Sequence, residues 1–249
     1  MSWSYSPLVA ELYDIDQPLG RSVGDVEWHV QALSGVTGPV LEPACGTGRV
    51  LIPLLEAGHE AEGVDHSPEM LEICRAHCRE RGFHPVLHAA DMTTFVRPQR
   101  YAAIVVPRGQ IRNIEGREAT RQALVGFRTS LQPGGLLMLD LSIPATSDAT
   151  GQVEYWSREP FFYTRQTLIS EYDAVLNRTM RYTRWEKWCD GELLVTELHR
   201  FTMQHWNPAE FTALLHEVGF TQIAVCADFD TEKTPSPGTR YWNLRAIAE

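Results

Sequence analysis

From Gly38 to Ser142 the chain alternates short apolar runs with amphipathic stretches, and no other feature restricts its fold so strongly. The runs "GPVLEPA", "EAEGVD", "HPVLHAAD", "YAAIVVP" and "LLMLDLS" read as five strands. Between them, "GRVLIPLLEAG", "SPEMLEICRAHCRERG" and "REATRQALVGFRTSLQPGG" carry apolar residues at helical spacing. The middle helix is marked at both ends: Ser67 can cap it, Pro68 sits at its first position, and Gly82 can close it. Strands separated by helices connect through right-handed crossovers, so the pattern predicts an α/β fold around a parallel, doubly wound sheet.

After Ser142 the pattern changes. Residues 151–206 are rich in Tyr, Trp, Phe and Thr and contain an Asp190-Gly191 turn, which predicts an antiparallel β insertion after the fifth strand. A two-residue hairpin there sets Arg184 opposite Glu197 and Tyr182 opposite His199. If Trp156, Phe161, Phe162, Tyr163, Trp185 and Trp188 face the ligand they line a pocket; they serve a homodimer interface equally well, because apolar residues occupy both faces of the expected strands. Helical spacing returns in "NPAEFTALLHEVGF", with Asn207 as N-cap. The last two β runs are joined by "TEKTPSPG", too short for a crossover helix, so they should be antiparallel. Residues 1–35 are expected to form a helical cap, and residues 1–249 a single domain near the upper size of one core.

Composition narrows the function. The net charge of −10, with no Lys/Arg cluster, argues against a nucleic-acid substrate, whose phosphates demand basic residues. No apolar run reaches the roughly 18 residues that span a bilayer, and "MSWSYSPLVAELYDID" lacks the order of a signal peptide; a cytoplasmic protein without membrane contact is expected. The five scattered cysteines suit reduced thiols. Cys74, His77 and Cys78 share a helix face, but no fourth ligand stands at finger spacing, so no metal is expected.

The ligand signal is "VLEPACGTGRVL", a strand running into a glycine turn and a helix, which brings backbone amides close to a bound group. The dinucleotide fingerprint needs a third glycine where Leu51 stands. Glu42, Ala44, Gly46 and Gly48 instead resemble the first motif of the class I S-adenosylmethionine-dependent methyltransferases, with Ala44 in place of the usual first glycine. "EGVDHSPEMLEICRAH", "LHAADMTTF" and "LQPGGLLMLDL" resemble that family's second, third and fifth strand segments, in order. The resemblance implies a Rossmann-like, mostly parallel seven-stranded sheet whose last strand is antiparallel, and S-adenosylmethionine as cofactor. It assigns Asp65 to the ribose hydroxyls, Asp91 and the Met92 amide to adenine, and Glu42 to the methionine ammonium. Tyr13, Cys45, His66, Met70 and Pro107 fall around the same ligand, and the ring of Tyr13 suits a sulfonium. The 17 residues from Gly48 to Asp65 match the roughly 20 expected before a ribose-binding acid. Ala102 departs from the family, which often has Asp there.

The segment after the fourth strand lacks the Asp/Asn-Pro-Pro-aromatic motif of methyltransferases that modify nucleic-acid exocyclic amines or protein amides, which together with the negative charge moves the acceptor toward a small molecule. Methyl transfer from sulfonium is an in-line displacement to N or O, and its main demand is alignment. Arg108 and Gln110 follow a strand's carboxyl end, where open α/β sheets bind ligands, and His205 ends the insertion; these three are the catalytic candidates. Carbon methylation, other chemistry of the same cofactor, and a non-catalytic binding module stay open from the sequence.

Overall fold

The computed structural model describes residues 5–142 and 149–249. Two helices come first, α1 (Pro7–Asp16) and α2 (Asp25–Ala32). The expected alternation follows: β1 (Val40–Pro43), α3 (Leu51–Glu56), β2 (Ala61–Asp65), α4 (Pro68–Glu80), β3 (Leu87–Ala89), β4 (Tyr101–Val106), α5 (Arg117–Ser130) and β5 (Leu131–Ser142). Ser67 caps α4 through its hydroxyl, which accepts from the Met70 amide, and Pro68 opens the helix. After the insertion come α6 (Pro208–Glu217), β10 (Phe220–Ala227) and β11 (Tyr241–Ala248).

The seven-stranded sheet runs β10-β11-β5-β4-β1-β2-β3. β1 through β5 pair in parallel, and β11 is antiparallel to both β5 and β10. Side-chain alternation builds two cores, one on each face. Ile104, Val106, Leu137 and Leu139 join Phe127 of α5 and Phe211 and Leu214 of α6. Ala103, Val105 and Met138 meet Trp28 of α2, Leu51 and Leu54 of α3, and Cys74 of α4. The strand order reverses beside β1, between β2 and β4, and the crevice there opens at the strands' carboxyl ends, where such sheets hold ligands.

The insertion is a four-stranded antiparallel sheet of β6 (Val153–Arg158), β7 (Phe161–Asp173), β8 (Arg178–Cys189) and β9 (Glu192–Gln204). The turn at Asp190-Gly191 forms as expected, with Cys189 opposite Glu192 and Trp188 opposite Leu193. A bulge then shifts the register by one residue between Lys187 and Trp188. Trp185, not Arg184, therefore faces Glu197, and Thr183, not Tyr182, faces His199.

Trp156, Phe161, Tyr163 and Trp185 of the insertion pack toward α1 rather than lining the crevice. Tyr163 and Trp185 are buried against Leu8, Val9 and Leu12, with Trp156 and Phe161 beside them. Glu11 accepts from the Tyr163 hydroxyl (2.7 Å) and from Lys187 Nζ (2.9 and 2.8 Å), which ties α1 to the sheet. Phe162 stands on the exposed side, stacked on Tyr155. Among the described residues no helix is long and apolar enough to cross a membrane.

Candidate active site

β1 is buried along its whole length and ends in a turn whose backbone is left-handed at Ala44 (φ 57°), Gly46 (φ 55°) and Gly48 (φ 92°). A side chain at Gly48 would meet Cys74 Sγ at 2.9 Å, so glycine lets the turn lie directly on α4. Asp65, at the end of β2, organises this turn: one carboxylate oxygen accepts from the Gly46 amide and the other from the Ser67 amide, each at 2.9 Å. Burial raises its pKa above the ordinary carboxylate value against the pull of those amides. Asp91, after β3, is fixed by the Thr93 amide (2.8 Å) and hydroxyl (2.7 Å) on one oxygen.

These groups open into one cavity of about 890 Å³, a volume suited to a cofactor-sized ligand. Ala44, Gly46, Asp65, His66, Met70, Asp91 and Met92 line one end, under Tyr5 and Tyr13. The Tyr13 ring stands over Gly46, 3.9 Å from where a side chain there would begin. The other end is bounded by Gln110 and Asn113 of a short 3-10 helix (Gln110–Asn113), by Ile114 and Glu115, and by Leu198 to Thr202 of β9.

Behind the turn lies a buried polar cluster. Asp25 of α2 forms a buried ion pair with Arg49. Glu42, within the field of Arg49, Asp25 and Asp65, is 2% exposed, and its Oε2 has no hydrogen-bond partner among the described residues. Burial pushes its carboxyl well above the usual range. Glu42 itself does not line the cavity, but its unpartnered oxygen directly behind the turn suits the ammonium at the methionine end of S-adenosylmethionine. His29 is fully buried and its pKa is depressed by burial to about 4, so the folded protein holds it neutral. The unfolded chain binds a proton there below roughly pH 6.5, hence this contribution is complete above that pH and is lost on acidification. Relative to a His29→Leu variant, wild-type stability should fall by about 3 kcal/mol between roughly pH 7 and pH 4, measured by denaturant titration. A pH-independent difference would contradict the burial of a neutral imidazole.

Several expected site residues stand elsewhere. His205 is not at the cavity: its Nδ1 accepts from Arg112 (3.1 Å) and its Nε2 meets Thr179 Oγ1 (2.7 Å). Burial, aided by Arg112, depresses its pKa to about 4, and the ring locks β8 to the 3-10 helix instead of serving as a base. Arg108, with φ 59°, points to Gln17 Oε1 (3.1 Å). Cys45 lies under β2, 2.7 Å from where a Gly63 side chain would begin, and Gly48 and Pro107 support the turn and loop without lining the cavity. Of the three catalytic candidates only Gln110 lines the cavity. The pair His199 and Glu197 went unread in the sequence; its signal is an acid and a histidine two apart on a strand, hence on one face.

Residues 40–135 match the family model described as a methyltransferase domain. A dTDP-3-amino-3,6-dideoxy-alpha-D-glucopyranose N,N-dimethyltransferase of Streptomyces fradiae is 31% identical over 141 residues, 55% of this chain and 54% of that protein. The chain thus spans about half the length of that relative. A glycine/sarcosine N-methyltransferase of Halorhodospira halochloris is 28% identical over 214 residues, 84% of this chain and 75% of that protein. In fold, the CcbJ methyltransferase of Streptomyces caelestis superposes with a TM-score of 0.76 at 20% identity, over 98% of this chain and 99% of its own. The sugar N-methyltransferase KedS8 of Streptoalloteichus sp. gives 0.75 at 19% identity, over 100% and 97%. Residues 40–135 thus carry a methyltransferase domain, with the glycine turn, Asp65 and Asp91 in one cavity, and the chain has the fold of S-adenosylmethionine-dependent methyltransferases.

Proposed function

We propose that the protein transfers a methyl group from S-adenosylmethionine to the nitrogen of a small, hydroxylated amine. The observation that carries this reading is the single cavity in which the glycine turn, Asp65, Asp91 and Met92 share walls with Gln110, Asn113 and β9. When bound, the cofactor supplies an electrophilic sulfonium methyl. The chain's own part is to hold the two ligands in line and exclude water, the dominant demand of such a displacement. Tyr5 and Tyr13 cover the turn, and Gln110, Asn113 and Thr202 offer neutral partners to hydroxyls. The relatives' amine substrates, an aminodeoxysugar nucleotide and glycine or sarcosine, agree with nitrogen as the acceptor.

Calorimetry should find S-adenosylhomocysteine bound in the micromolar range. With methyl-labelled cofactor, a panel of glycine, sarcosine and a 3-amino-3,6-dideoxyhexose nucleotide should accept label on an amine, while the hydroxyl counterpart of the sugar should not. Absence of S-adenosylhomocysteine binding by folded protein would sink the reading, and label on the hydroxyl counterpart would move the acceptor atom to oxygen.

A further inference from the structure

The β9 border of the cavity carries a histidine that cofactor binding does not use. His199 lines the cavity together with Tyr5, and its Nε2 lies 2.8 Å from Glu197 Oε2. A carboxylate only accepts, so Nε2 bears the hydrogen and Nδ1 keeps a lone pair. No hydrogen bond among the described residues engages that Nδ1, in contrast with His205, whose two ring nitrogens are both engaged. Glu197 also accepts from the hydroxyl of Ser6, the N-cap of α1. The pair is thereby fixed to the segment that holds Tyr5 and Tyr13 over the glycine turn. A base facing a ligand cavity, with its tautomer and orientation set by a carboxylate, is the arrangement that general-base catalysis requires.

We propose that His199 takes the proton that an ammonium acceptor must lose, with Glu197 as its positioning residue; this rests on the methyl-transfer reading above. An amine is protonated at neutral pH and has no lone pair to attack with. In the step assigned to His199, the acceptor's N–H bond breaks, its electron pair stays on nitrogen, and the proton joins Nδ1. The resulting imidazolium keeps its Nε2 hydrogen on Glu197, whose negative charge balances it, and the proton passes to solvent when product leaves. The ionisable groups on the surrounding elements are Glu197 and Arg200 on β9 itself, Arg181 on β8, Tyr5 ahead of α1 and Tyr13 on it, Glu115 after the 3-10 helix, and Asp65, His66 and Asp91 across the cavity.

Sinefungin tests this without a known acceptor, because it carries an amine where S-adenosylmethionine carries the methyl. The readout is its affinity relative to S-adenosylhomocysteine, by calorimetry. The wild type should prefer sinefungin, whose amine can donate to Nδ1, over S-adenosylhomocysteine. His199→Gln should lower that preference about tenfold, with S-adenosylhomocysteine affinity within about twofold of wild type. Glu197→Gln should lower the preference in the same direction, which guards against a folding defect in one variant. An unchanged preference in His199→Gln, with S-adenosylhomocysteine still bound, overturns the assignment of His199 alone. Failure of wild-type protein to bind S-adenosylhomocysteine overturns the cofactor reading instead.

Discussion

Replacing Asp65 by alanine is expected to weaken S-adenosylhomocysteine binding by about a hundredfold, near 2.7 kcal/mol. Two losses combine. Under the proposed assignment of Asp65 to the ribose, its hydroxyls lose a charged acceptor, worth roughly 1.5–3 kcal/mol in such bonds. The Gly46 and Ser67 amides lose the carboxylate that holds the glycine turn against the start of α4. Asp65→Asn keeps one acceptor oxygen for the two amides but not the charge, so its loss should be intermediate. Calorimetry on protein whose circular dichroism matches wild type checks both variants. An Asp65→Ala affinity within about twofold of wild type, under roughly 0.4 kcal/mol, would mean that the ribose is held elsewhere.

The residues that made Asp65 readable are local, and that separates what the sequence revealed from what it hid. Ser67-Pro68 marks a helix start because a cap hydroxyl and a proline act within one turn, and Asp65 is placed two residues before it. The parallel sheet followed from alternation, since each strand's two faces feed two cores. The catalytic end depends on contacts far apart in the chain. His205 was attractive for its position at the end of the insertion, yet Arg112, 93 residues away, consumes its Nδ1. The register of β9 turned on one bulge at Lys187/Trp188, where no glycine or proline signals it. With apolar residues on both faces of the insertion, alternation could not say that Tyr163 and Trp185 would seat α1 while β9 bordered the cavity. Glu42 was identified from the motif, but its missing partner became visible only once Arg49 was seen committed to Asp25.

That commitment is the basis of the second large effect. Asp25→Leu should destabilise the protein by about 3–5 kcal/mol, because it leaves a buried guanidinium without its carboxylate. At this chain length that is a fall in Tm of roughly 10 °C, read by calorimetric melting. Adding Arg49→Met removes the stranded charge, so the double variant should recover most of the loss, as replacement of a whole buried pair by apolar groups often does. The pair also has a functional consequence. In Asp25→Leu the freed Arg49 keeps Glu42 within its field, and a Glu42 neutralised from within the protein no longer calls for a ligand ammonium. S-adenosylhomocysteine affinity should therefore drop in the single variant and return in the double one, where Glu42 is again without an internal cation. A double variant as unstable as Asp25→Leu, or one that regains stability but not affinity, would show that Arg49 does more than hold Asp25 and leave Glu42 to the ligand.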